Sequence, residues 1–343
     1  MAMFAHLVGS IGLPTSGEVF SVVGQGLGNH IKRCPDGEPG GRRMWIGWQW
    51  PVLRANYGLK LASLQSIGHS GLCPFKIKEG ATDDDLSFGE LGYYREALGS
   101  YSEFSKARES GLLPSGVRFQ VCLPTPWAVI SSFIDRADAQ RLLPFYRDAM
   151  VQEMLRICAA IPHEDLAIQW DVCMEMIHWD GRFEWYPPFD GMRQFCEKEF
   201  AVLGNGVPVD VQLGVHLCYG DLDGEHFVQP VDTAKAVEFA QLIMSSIVRP
   251  LNWVHLPVPR DRDDVAYFAP LANLKRDHET ELYLGLIHAD DDGEGNARRI
   301  AAARQVISQF GIATECGIAR ARTADIVKKI IYLHAKAASS EAA

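Results

Sequence analysis

From residue 117 onward the chain alternates short apolar, β-branched and aromatic runs with longer amphipathic stretches. The runs at 117–123, 166–174, 211–218, 252–258, 282–288 and 312–318 have the length and composition of strands. Between and after them, apolar positions recur at helical spacing over 135–160, 192–203, 233–248, 296–310 and 323–338, more weakly over 262–274. Strands alternating with helices in this way build βαβ units and a parallel sheet. The first third is less regular. There 5–11 reads as a strand, 17–27 as a helix, 33–36 as a second strand and 93–109 as a helix, around a segment rich in Gly, Trp and Arg. The six later strands and these two make eight, the number that closes a (β/α)8 TIM barrel. The expectation is an α/β fold with residues 1–343 as a single barrel domain. Its first strand lies within 1–12, its N-terminal third is irregular, and a frayed tail runs over 337–343.

A length of 343 residues suits one barrel with insertions, and a hydrophobic content of 47% can fill its core. No apolar stretch approaches membrane-spanning length. The opening residues lack the basic start and apolar run of a secretion signal, so a cytoplasmic location is expected. Eight cysteines at scattered spacing fit reduced thiols better than a disulfide framework. A net charge of −10 without a basic block argues against nucleic acid or a membrane as partner. A small-molecule substrate remains, and a homo-oligomer is left open.

In a barrel of this kind reactive groups gather at the C-terminal strand ends. Those ends carry Ser10, Asp36 and Glu38, Pro124-Thr125-Pro126, Asp171, His216 and Cys218, His255, His288 and Asp290, and Glu315 and Cys316. His216 and Cys218 point to the same side of their strand, because side chains alternate with period two. Cys316 ends the last strand and faces the same mouth. One imidazole and two sulfurs form a soft set that suits zinc and leaves a coordination position open. A His-x-Cys pair is also ordinary core material, so burial alone remains an alternative. Asp171 closes an apolar strand and needs a partner. Asp36-Gly37-Glu38 has turn chemistry. Trp45, Trp48 and Trp50 read either as core packing or as a platform for a flat ligand. Cys34, Cys73, Cys122, Cys158, Cys173 and Cys196 lack ligand spacing and read as buried apolar residues. The acidic run after His288 lacks calcium-loop spacing.

These residues resemble, in order along the chain, the catalytic barrel of cobalamin-independent methionine synthase. Leu7-Val8-Gly9-Ser10 is similar to that family's Ile-Gly-Ser opening, and Asp36-Gly37-Glu38 with Arg42 and Arg43 to its Gly-Glu-x-x-Arg element. The segment 120–127 resembles a Gly-Pro-x-Thr strand end, and Ile168-Gln169-Trp170-Asp171 an Ile-Gln-x-Asp strand. His216-Leu217-Cys218 matches a His-x-Cys. Glu315-Cys316-Gly317-Ile318-Ala319-Arg320 resembles an Asp-Cys-Gly-Leu-x-x-Arg close. The resemblance implies a divergent member of the uroporphyrinogen decarboxylase and methionine synthase superfamily. It further implies zinc on His216, Cys218 and Cys316, and substrate held by Ser10, Glu38 and Asp171. Two positions depart from the family. Its fourth ligand, a Glu at the end of the sixth barrel strand, is replaced in Trp253-Val254-His255, which makes His255 the candidate fourth ligand. Its Asp-x-His after the seventh strand reads His288-Ala289-Asp290.

The expected function is a zinc-dependent methyl or small-alkyl transferase, or demethylase, acting on a small molecule. A thiol would be one methyl partner, and a tetrahydrofolate is the candidate co-substrate. Asp171 and either His288 or Asp290 are the candidate catalytic groups, the latter two for protonating the leaving group. Trp48 joins Ser10, Glu38 and Asp171 as a substrate contact. Two alternatives stand beside this reading. One is a zinc hydrolase or lyase with His288 or Asp290 as base. The other is a metal-free, decarboxylase-like enzyme relying on Asp171 and arginines.

Overall fold

A computed structural model describes residues 3–66, 71–221, 226–290 and 293–340. In chain order its strands are β1 (Ala5–His6), β2 (Arg33–Pro35), β3 (Leu59–Leu61), β4 (Phe75–Ile77) and β5 (Arg118–Pro124). They continue with β6 (Leu166–Val172), β7 (Gln212–Leu217), β8 (Trp253–Pro257), β9 (Glu281–Gly285) and β10 (Gly311–Ala313). Eight of them form one parallel sheet in the order β1-β10-β9-β8-β7-β6-β5-β2. Parallel bridges Ala5↔Ile31 and Ser10↔Gly37 join its two edges and close the barrel. The eight-stranded α/β barrel expected from the alternation is therefore the fold that forms.

Helices cover the outside, and most lie where the amphipathic stretches put them: Ser16–Leu27, Tyr93–Glu109, Arg136–Ala160, Met192–Asn205, Ala234–Ser246, Glu294–Arg304 and Ala324–Ser340. Four details differ. The run at 166–174 splits, because Met174–Asp180 turns helical directly after β6. Pro126–Phe133 forms an extra helix capped by Thr125, whose hydroxyl accepts from the Ala128 N–H at 3.3 Å and donates to Glu175 at 3.0 Å. Thr125 is thus spent on structure. The irregular third holds an antiparallel hairpin of β3 and β4. The tail expected to fray continues as helix to Ser340, with Ala338 fully buried; 341–343 lie outside the described residues. No helix among the described residues is long and apolar enough to cross a membrane.

Inside the barrel, inward positions stack from base to mouth. At the base Arg33 pairs with Glu281 and Gln212 and lies 4.1 Å over the Trp253 ring. Above it Trp253 and Tyr283 pack beside His6, which hydrogen-bonds to Gln169 at 2.9 Å. Gly214 of β7 makes room for Trp253, since a Cβ there would stand 2.0 Å from the indole. Gly214→Ala is therefore expected to destabilise the fold by about 1–3 kcal/mol through overpacking. A melting temperature equal to the parent's would contradict that packing.

Candidate active site

Above the Trp253 layer, β6, β7 and β8 end in register: Asp171 opposite His216, and His216 opposite His255. The next inward positions are Cys173 and Cys218, and Cys316 approaches from beyond β10. The Cys218 and Cys316 sulfurs are 3.6 Å apart. Together with His216 they offer three ligand atoms all within 4.8 Å of one another. Two thiolates each about 2.3 Å from a tetrahedral zinc stand about 3.8 Å apart, so the observed separation fits one. His216 Nε2 is buried and has no hydrogen-bond partner, so no protein group competes with a cation for it. The residues present thus fit zinc in donor type and spacing. In the metal-free chain both thiols are pushed up: Cys218 first by its contact with Cys173, against a lowering contact with Cys316, and Cys316 first by its contact with Cys218, with burial adding to both.

The triad opens into a cavity of about 440 Å³ that Ser10, Glu38, Trp48 and Asp171 also line. Its walls are mainly apolar, with Trp45, Phe133, Met174, Tyr186 and Phe227 among them. Glu38 and Trp45 both adopt left-handed backbone, with φ of 52° and 51°. Such conformations cost non-glycine residues roughly 1–2 kcal/mol each and concentrate at functional sites. Gly317 lets Ser10 come close, because a Cβ there would lie 2.1 Å from the Ser10 hydroxyl oxygen.

The surroundings of the two cavity carboxylates favour their neutral forms. Burial lifts Glu38 to about 8, with the Asp171 charge adding to it. Burial likewise lifts Asp171 to about 7, against hydrogen bonds from Gln169 at 2.9 Å and from the Trp45 indole. Arg320 faces this end of the cavity. It donates to the Asp221 carbonyl at 2.6 Å and stands 3.9 Å from the Cys316 sulfur.

Several expected site residues are not brought here. His288 Nε2 donates to the Val258 carbonyl at 3.0 Å and Nδ1 sits 3.8 Å from Glu315, outside the cavity lining. Asp290 is 65% exposed and pairs with Arg260 at 2.7 Å on the surface. The reason is local. β9 stops at Gly285 in a tight turn, Leu286 N–H to Leu284 O at 2.8 Å, so neither residue continues the strand into the mouth. His255 is not at the thiols either; its Nδ1 lies 2.6 Å from His216 Nδ1, behind that ring. Trp50 turns away to donate to the Cys73 carbonyl. Asp36 is taken up by Arg42 and Ser100 at 2.7 and 2.6 Å.

Arg320, the last residue of the closing motif, lines the cavity as well, and so do two residues that motif spacing does not single out, Cys173 and Asp221. Strand register gives the signal for Cys173, since it is the inward position after Asp171 and neighbours Cys218. For Asp221, the positive φ of 88° at the preceding Gly220 is the matching local mark.

No family model matches the chain, and no curated protein sequence does. Among solved structures, the fold is similar to a B12-independent methionine synthase from Shewanella sp. W3-18-1 in complex with selenomethionine. The TM-score is 0.62 at 13% identity, over 98% of each chain. It is equally similar to a putative vitamin-B12-independent methionine synthase from Listeria monocytogenes, with TM-score 0.62 at 15% identity over 99% of this chain and 98% of that one. A methyltransferase from Methanosarcina mazei matches with TM-score 0.52 at 12% identity, over 98% and 94%. The resemblance carried by the motifs therefore holds across the whole chain as a likeness of fold. At these identities the activity has to be argued from the residues themselves.

Proposed function

We propose that the chain is a zinc-dependent methyl or small-alkyl transferase that moves the group between a small molecule and a thiol. The observation that carries this reading is the convergence of His216, Cys218 and Cys316 at zinc-compatible spacing on a largely apolar cavity. Those three residues would hold the metal, which when bound supplies the Lewis acidity that keeps a thiol ionised at neutral pH.

The balance is R–SH plus CH3–X giving R–S–CH3 plus H–X. The sulfur–carbon bond forms as the carbon–X bond breaks, and X gains a proton. His288 and Asp290 do not line the cavity, so we assign the role to Asp171 and Glu38, which do. Their burial keeps a proton on the pair near neutrality, and the proton lost by the thiol replaces the one given up. Trp45 and Gln169 fix the Asp171 carboxyl, and the aromatic walls exclude water. Ser10, Glu38 and Asp171 would hold the polar end of the substrate, and Trp48 its apolar part. The selenomethionine held by the Shewanella protein supports a thioether-type amino acid as one ligand class. Among the described lining residues Arg320 is the one arginine or lysine, which favours a compact methoxy or methylthio donor over a tetrahydrofolate with its anionic tail. The hydrolase reading loses its expected base with His288 and Asp290. The metal-free reading leaves the thiol convergence unused.

The test is thermal. Saturating thiol should raise the melting temperature by a few degrees in zinc-loaded protein and leave chelator-stripped protein unmoved. A thiol panel that produces no shift in the loaded protein would count against the proposal.

A further inference from the structure

His216 and His255 are register partners on β7 and β8, with ring centroids 4.8 Å apart and planes tilted by 40°. Their Nδ1 atoms are 2.6 Å apart and both side chains are buried. A nitrogen–nitrogen contact this short holds one hydrogen, so one ring donates and the other accepts. Only two arrangements exist for the neutral pair. If His255 donates, His216 must carry its own hydrogen on Nε2, where it is buried and has no acceptor. If His216 donates, its Nε2 lone pair is bare, on a ring that offers a ligand atom within 4.8 Å of both sulfurs. The second arrangement leaves the His255 hydrogen on Nε2, which is equally buried and without a partner, so the two arrangements differ in that only the second frees a His216 nitrogen for a metal beside the sulfurs.

We infer that His255 is a positioning residue: by accepting the His216 Nδ1–H it fixes the tautomer in which His216 Nε2 can bind metal beside Cys218 and Cys316. This rests on the proposed metal role of the triad and adds to it. It gives His255 a task different from that of a fourth ligand. Partners that orient a ligating imidazole in this way are commonly worth 10–100-fold in metal affinity.

The experiment is competition for zinc against a chromophoric chelator, using wild type, His255→Leu, His255→Asn and Cys316→Ser, with the melting temperature of each metal-free protein beside it. Leucine removes the acceptor, whereas asparagine places Oδ1 where Nδ1 stood. The expected result is zinc binding about 10–100-fold weaker in His255→Leu and within about threefold of wild type in His255→Asn. Equal binding by His255→Leu would overturn the inference. So would equal weakening by both variants, because that marks a packing effect. If wild type binds zinc no better than Cys316→Ser, the metal reading itself fails and the inference goes with it. Nitrogen-15 NMR of zinc-loaded wild type gives a check that needs no variant. It should find the hydrogens on His216 Nδ1 and His255 Nε2, and a hydrogen on His255 Nδ1 would overturn the assignment.

Discussion

Cys316→Ser should bind zinc more weakly by roughly two to three powers of ten and lose alkyl transfer with it. A four-ligand protein zinc site is worth about 10–16 kcal/mol, or about 2.5–4 kcal/mol per ligand, and each 1.4 kcal/mol is a factor of ten. The serine hydroxyl is nearly isosteric but does not ionise near neutrality, so it cannot replace a thiolate. Cys316 sits at the cavity between Cys218 and Arg320, away from the Trp253 layer. The metal-free variant should therefore melt close to the metal-free parent. Chelator competition checks the point: an affinity within threefold of wild type would remove Cys316 from the metal set.

Asp171→Asn should separate activity from stability. A proton donor in the transition state contributes about 10²–10⁴-fold, and the amide cannot give up a proton, so turnover should fall by that order. Stability should move the other way, and the sign follows from the raised carboxyl. Between the ordinary aspartate range near 4 and the folded value of about 7, the folded chain holds a proton that the unfolded chain has released. Wild-type stability therefore declines as pH rises through that window. The asparagine variant lacks the decline and should be more stable than wild type at pH about 8, by roughly 2–4 kcal/mol, with little advantage below pH about 4. Glu38, Arg320, Gln169 and Trp45 face the carboxyl and stay unchanged. Melting curves across pH decide it. Parallel wild-type and variant profiles would mean that Asp171 is charged in the folded chain.

Much of this site is legible in the sequence, for identifiable physical reasons. Buried parallel strands are short continuous apolar runs, so β5 to β9 stand out from the amphipathic stretches around them. Period-two alternation puts His216 and Cys218 on one side, and the converging strand ends of a barrel bring Cys316 to them. Ser10, Glu38 and Asp171 reach the same cavity for that reason, and Trp48 joins them from the short helical turn Gly47–Gln49.

The pattern misleads where a strand stops sooner than its apolar run. Leu286 and Ile287 extend the hydrophobic pattern of β9 past Gly285, yet the backbone has already turned. His288 N–H is captured by Asn296 at 2.9 Å and the side chain points to Val258. The same effect hides Cys173, which lies beyond the end of β6 and reads as one more buried thiol. The hairpin of β3 and β4 escapes detection because three-residue strands carry too few positions to show alternation. The place of His255 at a strand end suggests a ligand. Its Nδ1 contact with His216 depends on register across two strands, which spacing within one strand does not contain.

Metal content of the purified protein, by plasma mass spectrometry beside a Cys218→Ser/Cys316→Ser double variant, bears most directly on the zinc assignment. Close to one zinc per chain in the wild type and none in the variant is the expected result. A wild type that takes up no zinc even when it is supplied under reducing conditions would contradict it. The two cysteines would then be core residues, and the search for chemistry would move to Asp171 and Glu38.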